Sequence, residues 1–165
     1  MKLILILVLV ALCGCVGFKI SSNYKQRQKF FQALNFFLQS FKTEINFTSN
    51  RLLKIIEHAK NTIKSKELNT LLDNYSVLIQ NGHDFDNVNL FSGINFLKQQ
   101  EKETIFIFFK ELGKTDVYNQ TDSISNMQNI CSEFLLQTKK DCDKYCSLYT
   151  KLGVLFGLFI ALIIV

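Results

Sequence analysis

VYNQTDSISNMQNICSEFLLQTKKDCDKYCSLYTKLGVLFGLFIALIIV, residues 117–165, decides the fold. Within it Met127, Cys131, Phe134, Thr138, Cys142, Tyr145, Tyr149 and Leu152 recur three or four positions apart, a single helical stripe. Glu133, Gln137, Lys139, Lys140, Asp141, Asp143 and Lys144 fall on the other faces, so this half lies against protein on one side and water on the other. After Lys151 the polarity stops. At about 1.5 Å per residue, residues 152–165 reach about 21 Å, short of a hydrocarbon core of about 30 Å, so Tyr145, Leu148 and Tyr149 are expected to fill the interface. One helix from water into a membrane is the reading, and it ties the soluble part to the bilayer.

The other end of the chain mirrors this. Residues 3–18 form an uninterrupted apolar run preceded only by Met1 and Lys2. Three readings compete: a cleaved secretory signal, a lipoprotein signal that uses Leu12, Cys13, Gly14 and Cys15 with lipid on Cys15, and an uncleaved anchor extended to Ile20 with Lys19 snorkelling. Charge bears on the choice. Lys19, Lys25, Arg27 and Lys29 follow the first segment, and Lys139, Lys140, Lys144 and Lys151 precede the last. Under the positive-inside rule both ends place the intervening domain in the cytoplasm, which favours a membrane hairpin with two short outward ends.

With 165 residues, about 130 remain between the segments, enough for one core. The expected division is a transmembrane segment at 1–20, a cytoplasmic helical bundle at 21–151 and a second transmembrane segment at 152–165. Sixteen Phe and no Trp assign the core to Phe, Leu and Ile, and the absence of Pro leaves few places to break a helix. Phe30, Leu34, Phe37, Leu38, Phe41 and Ile45 mark a long amphipathic helix, Leu52, Leu53, Ile55, Ile56 and Ala59 a second, and Leu68, Leu71, Leu72, Tyr75, Leu78 and Ile79 a third that ends at Asn81, Gly82 and His83. A short helix is expected to close at Ile94, Phe96 and Leu97. Gln99 opens another, apolar on nearly all sides and hence central, which Gly113 terminates. No segment reads as a strand. The fold class is all-α, an antiparallel bundle of about six helices flanked by the two transmembrane helices.

Chemistry is sparse. The net charge of +5 sits largely beside the apolar ends, which points to a membrane surface and away from nucleic acid. Cys142 and Cys146 are one helical turn apart, but zinc requires four ligands and no His is near, so reduced thiols are expected at all five cysteines. Asp84 and Asp86 beside His83 could form an oxygen-rich metal site, though helix capping accounts for them without a metal. His58 has no partner carboxylate at a revealing spacing. Asn46 and Asn74 open glycosylation sequons that a cytoplasmic domain would not use. With no phosphate loop, nucleophile elbow or carboxylate dyad, an enzyme is not expected, and no cofactor is implied.

Gly17, Phe18, Tyr24 and Arg27 after the first run, then Leu34, Leu38, Glu44 and Ile45, the joint Leu112, Gly113, Asp116 and Gln120, and finally Tyr149, Lys151, Leu152, Gly153 and Gly157 form a pattern spread along the whole chain. That pattern resembles the stage III sporulation protein AB family of endospore-forming bacteria, departing from it at 46–50, where a Pro is usual. The resemblance implies a cytoplasmic domain similar to the inner-membrane platform protein of type II secretion and type IV pilus systems. It further implies a mother-cell membrane protein that couples a cytoplasmic ATPase, stage III sporulation protein AA, to a channel between mother cell and forespore. A homo-oligomer stays open. Glu44, Gly113, Asp116 and Gln120 are the candidate residues, with two explanations each. They are structural, with Gly113 a helix terminator, Asp116 a cap supported by Gln120 and Glu44 bonding nearby backbone, or they contact a partner. The contrasting reading is an extracytoplasmic lipoprotein or binding module lipidated at Cys15.

Overall fold

The computed structural model describes residues 2–47, 52–82, 85, 89–114 and 117–164, and among these the side chains at 2–10, 46–47, 117, 161 and 163–164 lie outside the description. Five helices and no strand are present among the described residues: α1 (Lys2–Phe47), α2 (Leu52–Thr62), α3 (Lys66–Gln80), α4 (Gln99–Glu111) and α5 (Val117–Ile164). The all-α expectation holds. Both apolar ends are helical and belong to α1 and α5, although among the described residues no helix is long and apolar enough to cross a membrane.

The helix count is five and not six, because the short helix expected before Leu97 is a series of turns. Asn89 bends the chain by accepting the Phe91 N–H on its side-chain oxygen at 3.0 Å. The Ser92 and Ile94 N–H groups donate to the carbonyls of Asn89 and Phe91, three residues back, and Gly93 takes φ +79°. From α3, the Asn74 amide donates to the carbonyls of Leu90 and Ser92 at 3.0 and 3.1 Å. Those carbonyls are thus satisfied by a neighbouring helix. His83, Asp84 and Asp86, and the turn at 48–50, lie outside the described residues.

The chain divides into two compact units, one made of Met1–Gln28 with Gln137–Val165 and the other of Lys29–Leu136. In the second unit the predicted stripe of α1 is the core: Phe30, Leu34, Phe37, Leu38 and Phe41 are buried, together with Phe31. Phe109 of α4 is the meeting point of three helices. It stacks on Phe37 of α1 at 6.4 Å between ring centroids and receives the edge of Tyr75 of α3 at 4.7 Å, with Phe108 beside it at 5.3 Å. Offset and edge-on pairs such as these add to the area that the rings bury. The Tyr75 hydroxyl, buried with its ring, donates to the Leu112 carbonyl at the end of α4. Burial pushes that phenol well above its usual range, so it remains a donor.

Helix ends are set by local chemistry. Ser65 caps α3 by accepting the Leu68 N–H, and α3 stops where Gly82 adopts φ +79°. Buried Glu101 turns back to accept the Lys98 N–H at 2.8 Å, fixing the start of α4. Contrary to the expectation of an all-round apolar helix, α4 buries Ile105, Phe108 and Phe109 but leaves Ile107 56% exposed. Only one side of α4 meets the core, and Lys110 and Lys102 lie over the half-buried rings of Phe106 and Phe91 at its margin.

Replacing Phe109 with Ala removes the ring shared by three helices. The expected loss is about 3–5 kcal/mol, read as a shift of the denaturant midpoint of the full chain in detergent without a change of slope.

Candidate functional site

Gly113 follows α4 with φ +84°, a conformation that glycine adopts without strain, and a Cβ there would meet the Leu52 side chain at 3.0 Å. Gln120 is buried in the first turn of α5. Glu44 joins His58 across to α2, Oε1 to Nδ1 at 2.6 Å. That pair gives His58 the carboxylate that its sequence neighbours do not supply. Two residues earlier on α1, Lys42 donates to Ser125 of α5 at 2.8 Å. Asp116 lies outside the described residues. Gly113 and Gln120 thus flank one joint, and Glu44 belongs to the contact between α1 and α2.

A second cluster, built on the two-helix unit, brings together Gly17, Tyr24, Arg27, Tyr149 and Gly153, which the sequence offers only as separate parts of a family pattern. Residues 11–28 of α1 and 137–160 of α5 run antiparallel, as the pairs Gly17 with Gly153, Ser21 with Cys146 and Arg27 with Asp141 show. At the crossing the backbones touch. A Cβ on Gly17 would fall 2.5 Å from the Tyr149 carbonyl, and one on Gly153 would fall 2.8 Å from the Cys13 carbonyl. Only glycine permits this approach, the close packing typical of small residues spaced four apart. The signal was legible in the spacing of Cys13, Gly17 and Ser21 and of Gly153 and Gly157.

From Gly17 toward Arg27 along α1 the same interface becomes aromatic and then charged. Tyr24 stacks on Tyr145 at 5.5 Å and on Tyr149 at 6.0 Å, and burial together with the Tyr149 hydroxyl beside it raises the Tyr24 phenol. One turn further, Arg27 donates to the Asp141 carboxylate at 2.8 Å, with the arginine side chain 3% exposed. A buried guanidinium requires such a partner, since an unpaired charge there would cost several kcal/mol, on the order of 3–5. The pair therefore fixes the register of the two helices.

Cys142 and Cys146 bring their sulfurs to 2.8 Å, and the Cys146 thiol donates to the Ser21 carbonyl. Burial, and then the Cys146 thiol, push Cys142 up to about 11, while Lys25 acts in the opposite sense. The Cys142 thiol stays protonated near neutral pH. No group of three or more metal-ligating side chains is assembled among the described residues.

A family model described as stage III sporulation protein AB matches residues 2–165, and the chain belongs to that family. No curated protein and no solved structure matches it.

Two outcomes follow from this geometry. Gly153→Ala drives a methyl into backbone and is expected to lower stability by about 1–3 kcal/mol, whereas Gly14→Ala, which meets nothing within 4 Å, is expected to be neutral or to gain up to about 1 kcal/mol. Thermal melting of the detergent-solubilised chain separates them. Alkylation of Cys142, followed by peptide mass spectrometry, should keep rising about tenfold per pH unit from pH 8 toward 11, because only the thiolate reacts.

Proposed function

We propose that this sporulation protein is a non-enzymatic membrane platform, in which the apolar ends of the two-helix unit, residues 1–20 and 152–165, form a membrane hairpin and the chain between them is cytoplasmic, with the Lys29–Leu136 unit a docking body for an ATPase. Membership of the family gives the sporulation-related role. One observation carries the membrane reading. Along the two-helix unit Leu12, Val16 and Phe18 of α1 and Leu155, Phe156, Leu158, Phe159 and Leu162 of α5 are all more than half exposed. A contiguous apolar surface of that kind favours lipid or protein over water. It continues in sequence into the apolar residues 3–11, while exposed Lys19, Lys25, Lys139, Lys140, Lys144 and Lys151 lie at its domain side.

The reading assigns the hairpin to the mother-cell membrane and the helical body to its cytoplasm. The ATPase is stage III sporulation protein AA, and the coupled components are those of the channel to the forespore. A packed helical body suits a motor's partner, since the hydrolysis takes place elsewhere. Glu44, Gly113 and Gln120 act in it as structural residues, for each has a geometric role within its own unit.

The test is co-purification of the ATPase with the full chain, extracted in mild detergent from sporulating cells, with wild type beside Glu44→Ala. Recovery of the ATPase with wild type is expected. Because His58 is 70% exposed in its pair with Glu44, Glu44→Ala should cost less than about 1 kcal/mol and leave recovery unchanged. Absence of the ATPase from wild-type extracts that contain both proteins contradicts the platform role. Loss of recovery in Glu44→Ala at unchanged melting reassigns Glu44 to the partner surface. Glyceride or acyl mass on Cys15 would instead favour the lipoprotein reading.

A further inference from the structure

The structure's charge is divided unevenly. The two-helix unit holds eight basic residues against two acidic ones, and the helical body eleven against twelve. The whole positive excess of the protein therefore belongs to a unit of fewer than sixty residues. Of its two carboxylates, Asp141 is engaged by Arg27.

On the same unit, beside the glycine crossing, lies a groove of about 310 Å³ lined by Val16, Gly17, Ile20, Leu152, Gly153 and Phe156 and reaching Tyr149. It exists because glycine at both helices lets the backbones meet while supplying no side chain to fill the space alongside. Its volume is at the lower end of pockets that hold small molecules, about 300–1,000 Å³. The lining is apolar along its length, and its ends differ. On α1 it runs toward Ile20, with Tyr24 one turn beyond, and on antiparallel α5 it begins at Tyr149, with Tyr145 one turn before. At that end Tyr24 stacks on Tyr145 and Tyr149, Lys144 lies over the Tyr145 ring at 5.1 Å, and Lys25 follows Tyr24 directly on α1. Both lysines are exposed.

We propose that this unit holds one anionic phospholipid, an acyl chain in the groove beside Gly17 and Gly153 and the phosphate at Lys25 and Lys144 above the tyrosine stack; the proposal rests on the membrane reading given above. The chemistry of the two ends selects the class. The apolar lining takes a hydrocarbon chain and offers nothing to a polar ligand. The basic, aromatic end fits a headgroup at the boundary between hydrocarbon and water, where tyrosine and lysine are at home. A zwitterionic headgroup would leave the positive excess unanswered, whereas an anionic one is attracted by each lysine near the surface.

The test is native mass spectrometry of the full chain released from nanodiscs that contain equal amounts of phosphatidylcholine and phosphatidylglycerol. One retained lipid per chain is expected, with phosphatidylglycerol enriched about tenfold. Lys25→Gln combined with Lys144→Gln should bring that enrichment close to onefold while a lipid is still held, and Leu152→Trp, which fills the groove, should remove most retained lipid of either kind. Equal retention of both lipids by wild type, or full retention by Leu152→Trp, overturns the site but leaves the membrane reading standing. Failure of the wild-type chain to enter nanodiscs overturns both.

Discussion

The close approach of Gly17 and Gly153 is the constraint on which the two-helix unit depends. Neither position has room for a single added carbon, and the carbonyls of Tyr149 and Cys13 set that limit. Once the backbones meet there, the rest of the interface follows by helical repeat. Tyr24 comes over Tyr145 and Tyr149, and Arg27 comes to Asp141. The glycines determine distance, and the ion pair determines register. Small-residue contact of this type gains from dispersion between close-packed atoms, which operates in a lipid environment where apolar burial offers little advantage.

The helical body rests on a different balance. Its stability comes from the burial of Phe and Leu side chains around Phe109, and its surface charge is nearly even. Isolated surface pairs such as Lys60 with Asp73 contribute little. The buried polar groups that matter are those closing helix ends, Glu101 at the start of α4 and the Tyr75 hydroxyl at its close. The excess basic charge is kept for the unit with the exposed apolar surface.

Much of this was legible from periodicity. The stripe on α1 at Phe30, Leu34, Phe37, Leu38 and Phe41 is buried as its spacing predicts, and the glycine stops at Gly82 and Gly113 take the positive φ expected of them. Periodicity failed where a contact distant in sequence decided the outcome. The turns after Asn89 are held by Asn74, a residue whose sequence context suggested a glycosylation sequon and whose amide instead binds two carbonyls. Ile107 lies in an apolar run and is exposed, because composition does not say how many sides of a helix are covered. The glycine crossing was spelled out in small residues four apart, but its meaning depends on the two ends of the chain meeting, which no local window contains. The candidate joint was legible only in part: Gly113 by residue type, Glu44 by family resemblance and not by its partner His58.

The most direct test of the central claim, a membrane hairpin carrying a cytoplasmic helical body, is orientation in intact cells. Native thiols are poor reporters, since Cys131 is buried and its thiol is pushed up to about 12. Lys64 is exposed between α2 and α3 and belongs to the helical body. A Lys64→Cys chain should react with a membrane-impermeant maleimide only after permeabilisation, above the level of the parent chain. Reaction in intact cells would place the body outside and contradict the account.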